Sequence, residues 1–286
     1  MKLMDYHTHS RRCGHALGEI EDYVKVAIDR DFSEIGISDH FPLGTIIDEI
    51  QFKEIIKRNS MEVKDFPNYI KEIKFLKEKY KNNINVRLST EINFATPKKA
   101  LNSQKEVLEP FIDDYDYLVG SIHDMKWHES PVIIMDPREG SEALKKYGIE
   151  KITLEYIKKL IRLVDTDYFD VIAHFDNHRI LLRPNKPYYS EKAWQMLLDL
   201  LEKIKNKGMA IEINTSGNRK KIGGQFPSDK IIKEIIQRDI SVMLGSDAHK
   251  PEHIGYMFED FIEKAKKWDL SHICTYENRE QRLVKI

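Results

Sequence analysis

The 286-residue sequence lacks the features of secreted, membrane-spanning and nucleic-acid-binding proteins. It has only two cysteines, Cys13 and Cys274, which are far apart and without CxxC spacing, so no disulfide framework is indicated. No apolar run approaches the roughly 20 residues of a transmembrane helix, and we expect no signal peptide. The 46 basic and 47 acidic residues leave a formal net charge of −1, which argues against a general affinity for nucleic acid or membranes. We therefore expect a cytoplasmic protein.

Internal repeats and low-complexity linkers are also absent, and short apolar runs alternate with amphipathic stretches along the whole chain. Apolar residues recur at helical spacing in residues 19–31, 68–79, 153–164 and 190–207, and again after Ser228. Helices between apolar runs are typical of right-handed βαβ units and a parallel sheet. Because α/β barrels of about 200–250 residues routinely fold as one unit, we predict a single α/β domain over residues 1–286.

Seven apolar runs carry the most specific signal, because six of them end on a residue type that binds metals. The ends carry His7-Thr8-His9, Asp39-His40, Glu91, His123, His174 and Asp247-Ala248-His249. The carboxyl ends of barrel strands gather at one mouth, where barrel enzymes hold their active sites. His7 and His9 point to the same side of an extended chain, so both can bind one ion. His15 lies in a loop whose Gly14 allows a tight return to the same mouth.

The ligand types favour a cluster of transition-metal ions. Neutral imidazole and carboxylate ligands suit Zn, Mn or Fe. Nine such residues exceed what one ion can use, so two to three divalent ions are predicted. Glu91 is the natural bridge between them, because a carboxylate can contact two cations and an imidazole cannot.

The ligands belong to longer motifs that occur in a fixed order over nearly the whole chain. These are Asp5-Tyr6-His7-Thr8-His9-Ser10, His15, Ser38-Asp39-His40, Glu91, Gly120-Ser121-Ile122-His123, Ala173-His174 and Gly245-Ser246-Asp247-Ala248-His249. In this set the sequence strongly resembles the PHP (polymerase and histidinol phosphatase) family. The resemblance implies a distorted (β/α)7 TIM-like barrel with three metal ions. Their ligands would be His7, His9, Glu91 and Asp247 for one ion, His15, His40 and His249 for a second, and His123, His174 and the shared Glu91 for the third.

Within that family, residues 212–220 and the length of the chain look most like the histidinol-phosphate phosphatases. The resemblance implies hydrolysis of L-histidinol phosphate to L-histidinol and phosphate. The residue types agree, because Asn214, Ser216 and Arg219 follow the sixth run to the mouth, where a phosphate needs donors. Arg179 and Arg183 are two further candidates for binding the substrate phosphate.

The predicted mechanism is attack on phosphorus, in line with the leaving group, by a hydroxide that bridges two ions. The ions and Arg219, together with Arg179, would stabilise charge on the equatorial oxygens. A metal-bound water, Asp39 or His249 would supply the proton that the leaving alkoxide needs. Glu91 and Asp247 would act through the ions that they hold.

Two segments fit the alternation of strand and helix poorly, residues 41–66 and 124–148. Both follow a run that ends in metal ligands, so both should lie over the mouth. Long segments in that position are often lids or specificity elements. We predict such a lid or insertion for residues 124–148, in which Trp127, His128 and Arg138 could alter substrate choice.

Other functions remain open at the level of sequence. A PHP-type phosphoesterase could act on nucleotides, oligonucleotides or another small phosphorylated metabolite, and a nucleic-acid substrate would call for stacking aromatics such as Trp127 and Tyr147 and a basic groove. An amidohydrolase-type enzyme also opens with HxH, but that family usually has a metal-bridging lysine where this chain has His123. A non-catalytic barrel is disfavoured by the complete ligand set. The pattern leaves the oligomeric state open.

Overall fold

The structure is a computed structural model that describes residues 2–48, 51, 53–95, 98–127, 130–133, 136–182 and 189–286. Its strands are β1 (Met4–Asp5), β2 (Glu34–Ile37), β3 (Asn85–Leu88), β4 (Glu91–Asn93), β5 (Val119–Ser121), β6 (Asp124–Trp127), β7 (Ser130–Ile133), β8 (Val171–Ile172), β9 (Ala210–Asn214), β10 (Val242–Gly245), β11 (His272–Glu277) and β12 (Glu280–Lys285). Its α-helices are α1 (Ile20–Asp29), α2 (Lys53–Asn59), α3 (Phe66–Tyr80), α4 (Lys98–Leu108), α5 (Pro137–Val164), α6 (Glu191–Lys207), α7 (Asp229–Gln237) and α8 (Phe258–Lys266).

The parallel strands form a barrel from two sheets that meet at both edges. One sheet has the order β1-β2-β3 and the other the order β4-β5-β8-β9-β10. The bridge between His40 and Glu91 joins the sheets on one side, and the bridge between Thr8 and Ala248 joins them on the other. Because β3 and β4 are two halves of one run, they count as one barrel strand. The barrel therefore has seven strands, and the predicted (β/α)7 barrel is confirmed.

Tyr69 of α3 explains why the third barrel strand is divided into β3 and β4. Its hydroxyl lies 3.0 Å from the carbonyl oxygen of Ile37 and 2.7 Å from that of Ser89, and it accepts a hydrogen bond from the Asp39 backbone. The Thr90 hydroxyl donates to the Asp39 carbonyl at 2.8 Å. These side chains replace backbone hydrogen bonds between β2 and the third barrel strand. Glu91 therefore begins a new strand segment, β4, at the mouth.

The helices surround the barrel with their apolar faces inward. Ile20, Tyr23, Val24 and Ala27 of α1 are all buried, as the helical spacing predicts. The predicted ends of α6 are confirmed, because the Ser190 hydroxyl accepts from the Ala193 backbone and the helix stops at Gly208, whose φ is 66°. None of the helices in the described part of the chain is long and apolar enough to cross a membrane.

A C-terminal hairpin of β11 and β12 packs at the amino ends of the barrel strands, opposite the mouth. Tyr276 of β11 stacks on Tyr117 with ring centroids 5.7 Å apart. Arg87 of β3 is buried and pairs with Glu34 at 2.6 Å and with Glu277 at 3.0 Å. The hairpin therefore covers the amino end of the barrel with a polar network. A functional site is expected at the other end, the mouth.

The described residues of the segment after β5 contain strands and helical turns that the sequence pattern does not predict. This segment forms the antiparallel hairpin β6–β7 and then the first turns of α5, which continues through a kink at Gly148, where φ is 74°. Lys159 of α5 donates to the backbone carbonyl of Asp124 at 2.8 Å and to its carboxylate at 3.0 Å, and so ties the hairpin to α5. His128 and the side chain of Trp127 lie outside the described residues. Arg138 is exposed in the first turn of α5.

His178 is a buried histidine that should make stability depend on pH. It is 1% exposed and packs on Tyr156, and burial lowers the pKa of its imidazole to about 3. The unfolded chain takes up this proton near pH 6.5. The free energy of unfolding should therefore fall by up to about 1.4 kcal/mol per pH unit as the pH drops from about 6.5 toward the folded value.

We expect His178→Phe to remove this contribution, so that its stability changes less than the wild type's between pH 6.5 and pH 4.5. Denaturant unfolding of both proteins at several pH values measures the difference. His272→Gln, at an exposed position, is the control and should follow the wild-type curve. Equal pH slopes for the wild type and His178→Phe would show that His178 does not titrate in this way.

Candidate metal centre

Side chains from six strand ends and one loop converge at the mouth of the barrel. Among the described residues, the groups whose ligand atoms lie within 4.8 Å of one another include His7-His9-Glu91, His15-His40-His249 and Glu91-His123-His174. Asp247 adjoins the first group, since its Oδ1 is 3.3 Å from His9 Nε2. The structure thus brings together all nine residues that the sequence analysis proposed as metal ligands.

Glu91 lies at the centre of this arrangement and is almost completely buried. Both of its carboxylate oxygens face imidazole nitrogens. Oε2 is 3.3 Å from His7 Nε2, 3.5 Å from His9 Nε2 and 2.9 Å from His40 Nδ1, and Oε1 is 3.3 Å from His123 Nε2 and 2.9 Å from His174 Nε2. Burial alone would raise the pKa of the Glu91 carboxyl, but the surrounding imidazoles hold it well below its usual value. Glu91 is therefore an anionic centre that belongs to two of the groups.

His15 and His249 show that the site is arranged for a cation. Their Nε2 atoms are 2.9 Å apart. The Nδ1 atom of His15 is 3.0 Å from the carbonyl oxygens of Cys13 and Arg58, and the Nδ1 atom of His249 is 3.0 Å from that of Asp247. If both Nδ1 atoms donate to these carbonyls, two nitrogen lone pairs face each other across 2.9 Å. A metal ion between them removes that repulsion.

Buried ring nitrogens without partners lead to the same conclusion. His9 Nδ1 and His174 Nδ1 are buried and make no hydrogen bond within the described part of the chain, and the buried His7 Nε2 and His9 Nε2 face carboxylate oxygens only at 3.3–3.5 Å. Leaving a buried polar atom unsatisfied costs about 1–3 kcal/mol each. A divalent ion accepts the lone pair of a neutral imidazole, and the oxygen and nitrogen donor set suits Zn, Mn or Fe. The residues present therefore fit a multinuclear metal centre.

Two of the ligands lie on strained backbone. The φ angle is 27° at His174 and 51° at Asp247, both in the left-handed region that non-glycine residues rarely adopt. Hydrogen bonds hold both positions, because the His174 backbone donates to the Glu212 carboxylate at 2.7 Å, and Arg219 Nη2 donates to the Asp247 carbonyl at 3.0 Å. Backbone strain of this kind is common at functional sites, where the surrounding structure compensates its cost.

Asp39 and Asn214 lie behind the ligands and outside the pocket. Asp39 has no exposed surface, and its oxygens accept from the Ser10 backbone at 2.7 Å and the Ser10 hydroxyl at 2.8 Å. Burial raises the pKa of the Asp39 carboxyl to about 7. Asn214 is also fully buried and bonds Glu212 and the Ser216 backbone. These placements favour positioning roles over the proton donation expected of Asp39 and the phosphate contact expected of Asn214.

The arginines expected to bind phosphate differ in their surroundings. Arg219 lines the pocket at the mouth. Arg179 pairs with Asp176 at 3.1 Å and also donates to the Gln225 carbonyl, so its guanidinium joins two loops and is not among the pocket-lining groups. Arg183 lies outside the described residues. Of the two arginines that the structure describes, the geometry thus favours Arg219 for a substrate phosphate.

Glu212 is a site residue that the sequence analysis missed. It lies in the middle of β9, and its Oε1 is 2.6 Å from His7 Nδ1. A charged residue inside the apolar run from Met209 to Ile213 was the available signal. The run gives no indication that the partner would be His7, two residues after β1.

A cavity of about 500 Å³ opens above the ligands. One part of its wall is formed by Phe41, Leu43, Ile55 and Asn59 from the segment between β2 and α3, and other lining residues are polar, among them Ser216, Arg219, Lys220 and His253. A small molecule with one apolar and one anionic end fits such a lining.

These features define an α/β barrel with a multinuclear metal centre at its carboxyl end. The sequence model of the family described as PHP domain matches residues 5–216, and the chain belongs to this family.

Individual relatives match along most of the chain. A protein named "Probable histidinol-phosphatase" from Deinococcus radiodurans is 26% identical over 266 residues, which cover 92% of this chain and 93% of the relative. The histidinol-phosphatase of Bacillus subtilis is 25% identical, with 92% of this chain and all of the relative covered. The crystal structure of histidinol phosphate phosphatase from Lactococcus lactis, complexed with zinc, L-histidinol and phosphate, superimposes with a TM-score of 0.73 at 21% identity and covers 98% of this chain and 99% of that one. The barrel fold is therefore shared along almost the entire chain.

Proposed function

We propose that this protein is a metal-dependent phosphomonoesterase that hydrolyses L-histidinol phosphate to L-histidinol and phosphate. The observation that carries the proposal is the ligand cluster around Glu91, which lies at the floor of a pocket of suitable size. The relatives that match over the same length are named histidinol-phosphatases, and the Lactococcus lactis structure contains both products of this reaction. We further propose that the protein acts on this small phosphorylated metabolite in the cytoplasm.

Ser216 and Arg219 are the donors that we assign to the phosphate. The Ser216 hydroxyl oxygen and Arg219 Nη1 are buried and lack a hydrogen-bond partner within the described chain. Both residues line the pocket beside Glu91 and Asp247. A phosphate oxygen placed there would satisfy both groups, and the arginine bond would be charge-assisted. Lys220, whose Nζ is 3.8 Å from Asp247 Oδ2, adds a second positive charge on the same side.

The chain's own residues orient the reactants in this scheme. The nine ligands named above would hold two to three divalent ions, which when bound supply Lewis-acid stabilisation of the phosphoryl oxygens and activation of water. Arg219 fixes the Asp247 backbone through Nη2 and leaves Nη1 for the substrate. Its guanidinium therefore joins the phosphate position to a ligand position, which favours a defined approach of phosphorus to the centre.

The apolar wall suits the other end of the substrate. Phe41, Leu43 and Ile55 can pack against a small ring such as imidazole, while Asn59 supplies a polar group on the same wall. Tyr147, which a nucleotide-binding site could use for stacking, instead contacts Lys146 and Lys151 and is not among the pocket-lining residues. The wall therefore favours a small ring over an oligonucleotide.

Residues 1–286 would act as one phosphoesterase domain in this scheme, with residues 124–148 bordering the mouth. Asp124, the first residue of β6, lines the pocket and is held by Asn93 at 2.8 Å and by Lys159 at 3.0 Å. We propose that this segment shapes the entrance as a lid or insertion.

Phosphate release from a panel of substrates tests the function directly. The panel contains L-histidinol phosphate, several nucleoside monophosphates, glycerol phosphate and bis-p-nitrophenyl phosphate, each assayed with metal analysis of the same sample. We expect the highest kcat/KM for L-histidinol phosphate, by roughly tenfold or more, since a matched polar site discriminates strongly. Preference for a nucleotide would replace the proposed substrate, and no release from any compound by metal-loaded protein would overturn the assignment as a phosphatase.

A further inference from the structure

Glu212 contacts the ligands of two different metal groups although it is not among the pocket-lining residues. It has no exposed surface, and its Oε1 lies 2.6 Å from Nδ1 of His7, a member of the His7-His9-Glu91 group. Its Oε2 accepts a hydrogen bond of 2.7 Å from the backbone of His174, a member of the Glu91-His123-His174 group. One carboxylate thus connects two parts of the centre from behind.

We propose that Glu212 is a positioning residue that sets how tightly the protein holds its ions. The inference rests on the metal centre of the proposed function and deepens it. When His7 Nδ1–H donates to Glu212, the lone pair of that ring lies on Nε2, which faces Glu91 at 3.3 Å. A carboxylate behind a histidine fixes both the tautomer and the ring orientation and makes the ligand more basic. Glu212 therefore prepares His7 for an ion.

The second contact of Glu212 maintains an unfavourable backbone conformation. His174 has a φ of 27°, and its N–H is held by Glu212 Oε2. Without that acceptor the buried N–H would be unsatisfied, and the strained residue would be free to relax toward an ordinary conformation. Relaxation would move the imidazole of His174 away from Glu91, its neighbour at 2.9 Å.

The surrounding strands are built to admit this carboxylate. Asn214, two residues along β9, donates to Oε2 at 3.0 Å. Gly245 of β10 leaves the space for Oε1, since a Cβ at this position would lie 1.9 Å from Oε1 and 2.7 Å from His7 Cβ. Any larger residue at position 245 would have to displace both the carboxylate and the histidine.

Glu212→Gln keeps the shape of the side chain but removes its negative charge and one of its two acceptor oxygens. His7 Nδ1–H and the His174 N–H each need an acceptor, and a glutamine amide has only one oxygen. Either orientation of the amide therefore leaves one of the two ligands without its partner. Loss of a hydrogen-bond partner behind a ligand typically weakens metal affinity by about 10–100-fold, and we expect a loss in that range for Glu212→Gln.

Metal affinity, measured by competition between the protein and a chromogenic chelator for Zn²⁺ and for Mn²⁺, is the readout. Asp116→Asn is the matched control. Asp116 is also fully buried, and its carboxylate accepts a hydrogen bond of 2.8 Å from the Leu88 backbone N–H, but it lies at the opposite end of the barrel. We expect Asp116→Asn to lower thermal stability while its metal affinity stays within about twofold of the wild type, since it touches no ligand. Gly245→Ala, which keeps every polar group but crowds both the Glu212 carboxylate and His7, should also weaken affinity.

Failure of the positioning role and failure of the proposed function give different results, and the affinity measurement needs no substrate. If Glu212→Gln and Gly245→Ala bind both metals as tightly as the wild type, or lose no more affinity than Asp116→Asn, the positioning role is wrong. If Glu212→Gln does not fold, Glu212→Asp, which withdraws the carboxylate from both ligands, decides by the same titration. Wild-type protein that binds metals tightly but hydrolyses no phosphate ester would contradict the proposed function and leave the role of Glu212 in metal retention intact.

Discussion

Replacing Glu91 by glutamine is expected to lower kcat/KM by roughly a thousandfold or more, because an ion cluster contributes several kcal/mol of transition-state stabilisation. Five imidazole nitrogens lie between 2.9 and 3.5 Å from the two oxygens of this one carboxylate. Glutamine keeps the shape but removes the negative charge and one of the two acceptor oxygens. Two ligand groups therefore lose their shared member in one substitution.

Metal content and activity should fall together in Glu91→Gln. Metal analysis of dialysed protein and steady-state phosphate release, measured on the same preparation, test this. Glu34→Gln is a suitable control, because Glu34 is a partly buried glutamate that pairs with Arg87 at the amino end of the barrel. The control should keep its ions. A Glu91→Gln protein with wild-type activity would exclude Glu91 as a bridge between ions.

The ligand set could be predicted from the sequence because strand ends are local features. An apolar run of four to six residues followed by His, Asp or Glu places that side chain at the mouth as soon as the strands are parallel. His7 and His9 illustrate this, since their spacing alone puts both on one side of the strand. The barrel itself follows from the same pattern, together with the amphipathic stretches between the runs.

Residues whose roles depend on distant partners could not be predicted in the same way. Arg179 resembles a phosphate-binding arginine in sequence, but its guanidinium is bonded to Gln225, 46 positions away. The role of Glu212 is likewise determined by His7, 205 positions away. No periodicity encodes such a pairing, because it arises only when the barrel closes and brings Glu212 of β9 within reach of His7, across the intervening strand β10.

The secondary structure of the segment after β5 could not be predicted for a different reason. Residues 124–127 and 130–133 form a hairpin without a typical two-residue turn signal in the sequence. The hairpin is tied to α5 by Lys159, which is buried and bonded to Asp124. A lysine in a helix is normally read as a solvent-facing residue, so the contact that orders the segment is not visible in the pattern.

Removing the ions with a chelator is expected to abolish phosphate release and to lower the thermal stability of the folded barrel. Each ion that binds the folded chain and not the unfolded chain stabilises it by about 2.7 kcal/mol at a concentration 100 times its Kd. For a chain of this size, 1 kcal/mol corresponds to a Tm shift of about 2–4 °C. Several ions should therefore raise Tm by roughly 5 °C or more.

The ligand geometry gives the physical reason for that loss of stability. The Nε2 atoms of His15 and His249 face each other across 2.9 Å, and the buried Nδ1 atom of His9 makes no hydrogen bond within the described chain, so bound ions should relieve unfavourable contacts. Differential scanning calorimetry of as-purified, chelated and metal-reconstituted protein measures the effect, and chelator presaturated with zinc controls for direct action on the protein. Addition of Zn²⁺, Mn²⁺ or Fe²⁺ should restore both Tm and activity in the wild type, and much less in Glu91→Gln. Chelated protein that contains less than about one ion in ten chains but keeps full activity would contradict a metal-dependent reaction, since activity should scale with occupancy.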